Sequence, residues 1–167
     1  CLGEQHILWV GTDTRGVVLL SEQQNKFMRS SKIPAINFGN APVRAFWETQ
    51  DGTLFIGTKG KGLFLFNEEE QSVQNLTITE GLLHNSVYAF TGDDEYVWIC
   101  TEGTGLNYYS IKEKKLIQVE KTPADLKGEF SICAQSDSVL WIGTNGWGLF
   151  KIVLDRGSYP VSVKSYK

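Results

Sequence analysis

The stretch Leu140-Trp141-Ile142-Gly143-Thr144-Asn145-Gly146-Trp147-Gly148-Leu149-Phe150 has three counterparts in the same chain. They are LWVGTDTRGVV from Leu8 to Val18, LFIGTKGKGLF from Leu54 to Phe64 and VWICTEGTGLN from Val97 to Asn107. The threonines at 12, 58, 101 and 144 are separated by 46, 43 and 43 residues, and the glycines at 16, 62, 105 and 148 keep the same steps. In each copy a short apolar run of branched and aromatic residues precedes the threonine and another follows the last glycine. Runs of that kind read as strands covered on both faces. Glycine between them supplies the positive φ of a hairpin turn, and Asn145-Gly146 is a strong two-residue hairpin signal. The copied unit is a hairpin.

Aligning the copies on their threonine orders the rest of each repeat. Val43 to Glu48, Val87 to Phe90 and Phe130 to Ala134 read as strands before the motif, joined to it by polar turns at Gln50-Asp51-Gly52, Gly92 to Glu95 and Ser136-Asp137-Ser138. Val17 to Leu20, Leu63 to Phe66, Leu106 to Tyr109 and Leu149 to Leu154 read as a third strand. Lys26 to Arg29, Val73 to Thr77, Leu116 to Val119 and Val161 to Val163 alternate apolar with polar, which suits an outer strand with one wet face. Four strands repeated at a period of about 43 residues predict an all-β fold, a β-propeller segment of about four blades. The blades are expected at roughly 1–31, 42–78, 87–121 and 129–167 of a single domain. The first is cut short at its inner strand, because Cys1 lies as far before Thr12 as Cys133 lies before Thr144.

Between blades run Ile33 to Pro42, Thr79 to Ser86 and Thr122 to Glu129, rich in Pro, Gly and Asn. No segment carries a helical apolar stripe, although Pro123 to Lys127 could close one turn. The recurring Trp9, Phe55, Trp98 and Trp141 are expected to fill the space between blades. A four-blade arc would leave two apolar faces bare, so the blades are expected to close on themselves, to pair with a second chain, or to continue into further repeats.

With 167 residues, 41% hydrophobic, and a net charge of −3, the composition is that of a globular domain without a basic block to attract nucleic acid. No apolar run is long enough to cross a bilayer as a helix, and the start Cys1-Leu2-Gly3-Glu4 lacks the basic stretch and apolar core of a signal peptide. Cys1, Cys100 and Cys133 lack metal-site spacing, so no cofactor or metal is expected. Cys100 stands where Gly11, Gly57 and Gly143 stand in the other copies, and Cys133 falls in an apolar strand; both read as small buried hydrophobes. His6 and His84 pair with no other metal ligand, and Asp51, Asp93, Asp94 and Asp137 are explained by turn chemistry. The glycine turns are followed by strands, which excludes a phosphate loop, since that needs a helix there.

In an up-and-down blade the loops after strands two and four emerge on one face. Around one mouth of the central channel this gathers Asp13, Arg15, Lys59, Lys61, Glu102, Asn145 and Trp147 from the turns with Asn40, His84 and Asn85 from the connections. Of these, Trp147, Asn145, Lys59, Lys61, Glu102, Arg15, His84 and Asn85 form the candidate ligand site. Trp147 replaces Arg15, Lys61 and Thr104 of the other turns, so strand packing does not demand a large ring there. An exposed indole beside amide and charged groups suits stacking on a sugar; the alternative is that it packs against an adjacent blade or domain.

The run Glu80-Gly81-Leu82-Leu83-His84-Asn85-Ser86-Val87, then an Asp-rich turn, then Val97 to Asn107, resembles the two-component regulator propeller repeat. The blade with Asp51-Gly52-Thr53-Leu54-Phe55-Ile56-Gly57-Thr58 is similar almost throughout, and the resemblance covers nearly the whole chain. Phe55, Cys100 and the single glycine of Asp13-Thr14-Arg15-Gly16 depart from its pattern. The resemblance implies the periplasmic region of a sensor histidine kinase, often a hybrid, in which propellers precede an immunoglobulin-like domain, a membrane helix and the kinase. Many such proteins regulate glycan uptake, which implies an oligosaccharide as ligand, neighbouring propeller modules or a second copy as partners, and no catalysis in this segment. A protein-binding or dimerisation scaffold, and less so a propeller lyase, are the alternatives.

Overall fold

A computed structural model describes residues 7–12, 16–21, 28–29, 36–103, 105–119, 122–124, 126–155 and 160–166. The strands are β1 (Ile7–Thr12), β2 (Gly16–Ser21), β3 (Met28–Arg29), β4 (Val43–Glu48), β5 (Thr53–Thr58), β6 (Leu63–Asn67), β7 (Ser72–Leu76) and β8 (Val87–Gly92). They continue as β9 (Tyr96–Thr101), β10 (Asn107–Ser110), β11 (Lys115–Gln118), β12 (Glu129–Ser136), β13 (Val139–Thr144), β14 (Leu149–Leu154) and β15 (Pro160–Tyr166). They form three four-stranded sheets, β4-β5-β6-β7, β8-β9-β10-β11 and β12-β13-β14-β15, and a three-stranded sheet β1-β2-β3. Each is an antiparallel meander in chain order. The first blade's expected inner strand and the first half of its outer one lie outside the described residues, as do Asp13, Arg15, His6 and the side chain of Trp9.

Neighbouring sheets meet through their first strands: β4 lies beside β8, and β8 beside β12. The core consists accordingly of the spaces between successive sheets. Leu54, Ile56, Phe64 and Phe66 face β2 with Val17, while Phe55, Leu63 and Leu65 pack against Leu82, Val87, Val97, Ile99 and Tyr109 of the next sheet. Trp98, Leu106 and Tyr108 pack in turn against Leu126, Leu140, Ile142, Phe150 and Ile152. This explains why the motif strands are apolar at consecutive positions: odd residues serve one interface and even residues the other. Each Leu, Ile or Phe so enclosed stabilises the stack by about 1.5–3 kcal/mol.

Phe55 (1% exposed) and Trp98 (4%) are sealed as expected, each by the following sheet. Trp141 is only half-buried, and Cys133, paired with it across β12 and β13, is exposed rather than buried. The two residues share the face of the fourth sheet that no other described sheet covers. The Trp141 ring lies 5.8 Å from Tyr166, the Lys151 ammonium sits 5.3 Å from its centroid, and its indole N–H donates to Gln135 at 2.8 Å. Cys100 on the third sheet is fully enclosed, as expected.

Two local expectations are corrected. Asn145-Gly146 does not form a two-residue turn: the loop between β13 and β14 runs over Asn145 to Gly148, with Gly146 at φ 87° and Gly148 at φ 90°. The reason is the motif threonine, whose N–H and hydroxyl both donate to the Gly148 carbonyl, at 3.1 and 2.7 Å. Thr58 makes the same pair of bonds to Gly62, at 3.1 and 2.7 Å, so the recurrent threonine is the clasp of the turn. A 3-10 turn over Ile78–Glu80, unforeseen in the connection to the third blade, is capped by Thr77, whose N–H and hydroxyl both bond the Glu80 carboxylate. In the segment Pro123 to Lys127, where one turn is expected, Leu126 N–H donates to the Pro123 carbonyl at 3.0 Å.

Candidate ligand-binding site

Backbone hydrogen bonds tie the glycine turns and the inter-blade connections into one rim. Each turn bonds the connection entering its own blade: Lys59 N–H to the Pro42 carbonyl (2.9 Å), Glu102 N–H to Ser86 (2.9 Å) and Asn145 N–H to Gly128 (3.0 Å). The turns of the second and third blades also bond the connection entering the next blade. Gly60 and Gly62 donate to the Asn85 carbonyl at 3.0 and 2.8 Å, and Gly105 donates to Leu126 at 3.0 Å. Gly128 N–H returns to the Gly103 carbonyl at 3.1 Å. Among the described residues these bonds link the turns and connections from Pro42 to Gly148 into one hydrogen-bonded collar.

The predicted site residues divide into two kinds on this collar. Lys59, Lys61, Glu102, Asn145 and Trp147 are exposed. Trp147 is 42% exposed, with the Lys127 ammonium 4.8 Å from its ring centroid. His84 and Asn85 are half-buried and engaged in the scaffold: His84 Nδ1 accepts from Ser86 N–H at 3.1 Å, and Asn85 Oδ1 accepts from Ile78 N–H at 3.0 Å. Their side chains hold the connection in place. Arg15 lies outside the described residues.

Three residues of this face escape the sequence reading. Arg44 and Tyr88 stand at the start of the inner strands β4 and β8, with the Arg44 guanidinium carbon 5.9 Å from the Tyr88 ring centroid. The Tyr88 hydroxyl donates to Glu102 at 3.4 Å. Burial, then the Glu102 charge, push its phenol above the ordinary value despite the opposing Arg44 charge, so Tyr88 remains a donor at neutral pH. The third is Lys127, in a connection whose composition marks only a loop.

At the opposite end, a cleft of roughly 200 Å³ between the second and third blades is lined by Thr49, Asp51, Asn67, Tyr109 and Lys114, among others. Burial would raise the Asp51 carboxyl. Hydrogen bonds from the Thr49 hydroxyl and from Thr53, with the Lys114 charge, outweigh that and hold it below its ordinary value. Asp93 shows the same turn chemistry, its carboxylate accepting from the N–H groups of Glu95 and Tyr96 at 2.8 Å each. Among the described residues, no group of three His, Cys, Asp or Glu side chains is placed to hold a metal ion, and no helix is long and apolar enough to cross a membrane.

No protein-family model and no curated protein sequence matches the chain. Solved structures do. The extracellular domain described as that of a hybrid two-component system, BT3049 from B. thetaiotaomicron, superposes with a TM-score of 0.78 at 22% identity, over 100% of this chain and 24% of that one. That of BT4673, from the same organism, does so with a TM-score of 0.73 at 19% identity, again over 100% and 24%. The fold is a β-propeller segment. The chain spans about a quarter of the length of those neighbours. The N-terminal domain of Nup159 shares the fold too, with a TM-score of 0.65 at 13% identity over 99% of this chain and 46% of that one, so propeller architecture by itself does not prescribe a ligand.

Proposed function

We propose that this propeller is the non-catalytic, extracytoplasmic ligand-sensing region of a two-component sensor, periplasmic in location, and that it takes an oligosaccharide on the collar of glycine turns. The parent chain carries the histidine kinase elsewhere. The observation that carries this reading is Trp147, an indole held 42% exposed on a hydrogen-bonded collar among polar side chains. Its ring offers apolar area to a pyranose face, and Asn145 and Lys127 beside it offer hydrogen bonds to hydroxyls. The extracellular sensor domains that share the fold favour the same reading. Signalling then requires the glycan to bind one arrangement of neighbouring modules more tightly than another, since equal affinity transmits nothing.

Isothermal titration calorimetry against a panel of oligosaccharides tests this. At least one glycan binds, and Trp147→Ala weakens it about tenfold or more, about 1.4 kcal/mol. Absence of heat across the panel refutes the reading. A second reading, a self-associating scaffold, is favoured by the uncovered face of the fourth sheet, where Trp141 is half-buried and Tyr166 is 42% exposed. It predicts concentration-dependent light scattering with no glycan heat.

A further inference from the structure

The three complete blades share an irregularity that the sequence repeat does not advertise. Val43 pairs with Thr58 and Ala45 with Gly57, leaving Arg44 as an extra residue; Val87 pairs with Thr101 and Ala89 with Cys100, leaving Tyr88. Glu129 pairs with Thr144 and Ser131 with Gly143, leaving Phe130. Each blade thus carries a β-bulge on its inner strand, opposite the step from the motif threonine to the residue before it. A bulged residue leaves the ladder and its side chain is re-aimed, which is why bulges recur beside binding sites. In the second and third blades these positions, Arg44 and Tyr88, lie beside the glycine collar, the Tyr88 hydroxyl reaching Glu102 of the turn.

In the second and third blades the products of these bulges meet. Arg44 is exposed, its guanidinium lies over the Tyr88 ring, and no carboxylate among the described residues pairs with it. The guanidinium carbon lies 5.9 Å from the ring centroid, and its N–H groups have no hydrogen-bond partner among the described residues. The Glu102 carboxylate accepts from the Tyr88 hydroxyl at 3.4 Å.

We propose that Arg44, Tyr88 and Glu102 form a subsite for the acidic group of a glycan, the carboxylate of a uronic acid or a sulfate ester. This rests on the oligosaccharide reading above and names the class of sugar. The planar fork of a guanidinium matches two oxygens of such a group in a bidentate pair. The Tyr88 ring supplies apolar area for the sugar, and the Glu102 carboxylate accepts from its neutral hydroxyls. The carboxylate of Glu102 within the subsite also argues against a polyanion such as nucleic acid. Glu102 repels closely spaced charges, and the chain as a whole is negative, at −3. One acidic group amid hydroxyls is what an acidic sugar presents.

The test is calorimetry with uronic acid oligosaccharides, with the same oligosaccharides after reduction of their carboxyls to alcohols, and with sulfated and plain neutral glycans. An acidic glycan binds at least tenfold more tightly than its neutral counterpart. Arg44→Gln brings its affinity down to the neutral level, Arg44→Lys restores part of the difference, and added salt weakens the acidic glycan alone. Because Arg44 is exposed, these variants keep the thermal midpoint of the parent, which separates lost binding from lost folding. Equal binding of acidic and neutral forms, or a loss in Arg44→Gln that is the same for both, overturns this inference and leaves the oligosaccharide reading standing. No heat from any glycan ends both.

Discussion

Replacing Gly57 by Ala tests how closely the blades are stacked. An ideal Cβ at Gly57 falls 2.8 Å from Val87 Cγ1, 3.1 Å from Val87 Cβ and 3.2 Å from Phe90 Cε2, all in the following blade. Val87 is 0% exposed and Phe90 9%, so neither can swing into solvent to make room. With no clash, alanine in a strand would gain about 0.5–1 kcal/mol over glycine. Overpacking costs typically 1–3 kcal/mol, so a net loss of about 1–2 kcal/mol is expected. Val87→Ala alone removes two methyl groups from a sealed site, a cost of about 2–3 kcal/mol. In the double variant the new methyl enters the space just vacated, and the combined loss falls short of the sum by about 1 kcal/mol or more. Urea unfolding followed by tryptophan fluorescence measures all four proteins. Additive losses, or a Gly57→Ala protein more stable than the parent, would refute the account of glycine as the close-approach residue between blades.

Two further expectations concern the clasp and the ionisable strand ends. Thr58→Val keeps the strand's shape but removes the hydroxyl that donates to Gly62 and accepts from Lys61 N–H at 3.1 Å; in this fully buried setting the loss is about 1–3 kcal/mol by denaturant unfolding. Thr144→Val costs less, because Thr144 is half-buried and water can reach the freed groups. Calorimetric melting as a function of pH separates Glu48 from Asp51. Burial raises the Glu48 carboxyl above 4.5, and its Oε2 is enclosed without a hydrogen-bond partner among the described residues. Its contribution is most favourable below pH 4.5 and is lost as pH rises through the raised folded value, so Glu48→Gln raises the midpoint at neutral pH and the gain disappears in acid. The Asp51 carboxyl is held below 3.8, so its stabilisation is present above that value and lost as pH falls further; Asp51→Asn lowers the midpoint at neutral pH and the gap closes in acid. Parallel pH curves for the variants and the parent would contradict both assignments.

How much of this was legible in the chain depends on whether the cause was local. The four copies of the motif announce strand, turn and strand, because a run buried on both faces must be apolar at every position and a reversal needs residues tolerant of positive φ. Strand order within each sheet follows, since a meander joined by short turns leaves no other neighbour. The collar of turns and connections was legible for the same topological reason, and with it Trp147, whose size no strand required. Properties decided by a neighbour were not legible. Trp98 and Trp141 occupy one repeat position, yet only Trp98 is sealed, because a further sheet covers it; Cys133 shares the exposure of Trp141 for that reason. His84 and Asn85 looked like ligand residues and are bonded into the scaffold, since the loop's own N–H groups needed acceptors. Arg44 and Tyr88 were invisible because a bulge is a mismatch of register between two strands, a relation no single strand encodes. Repetition and polarity by themselves determined the blade; which side chains are covered, clasped or brought together beside the collar was decided only when one blade met the next.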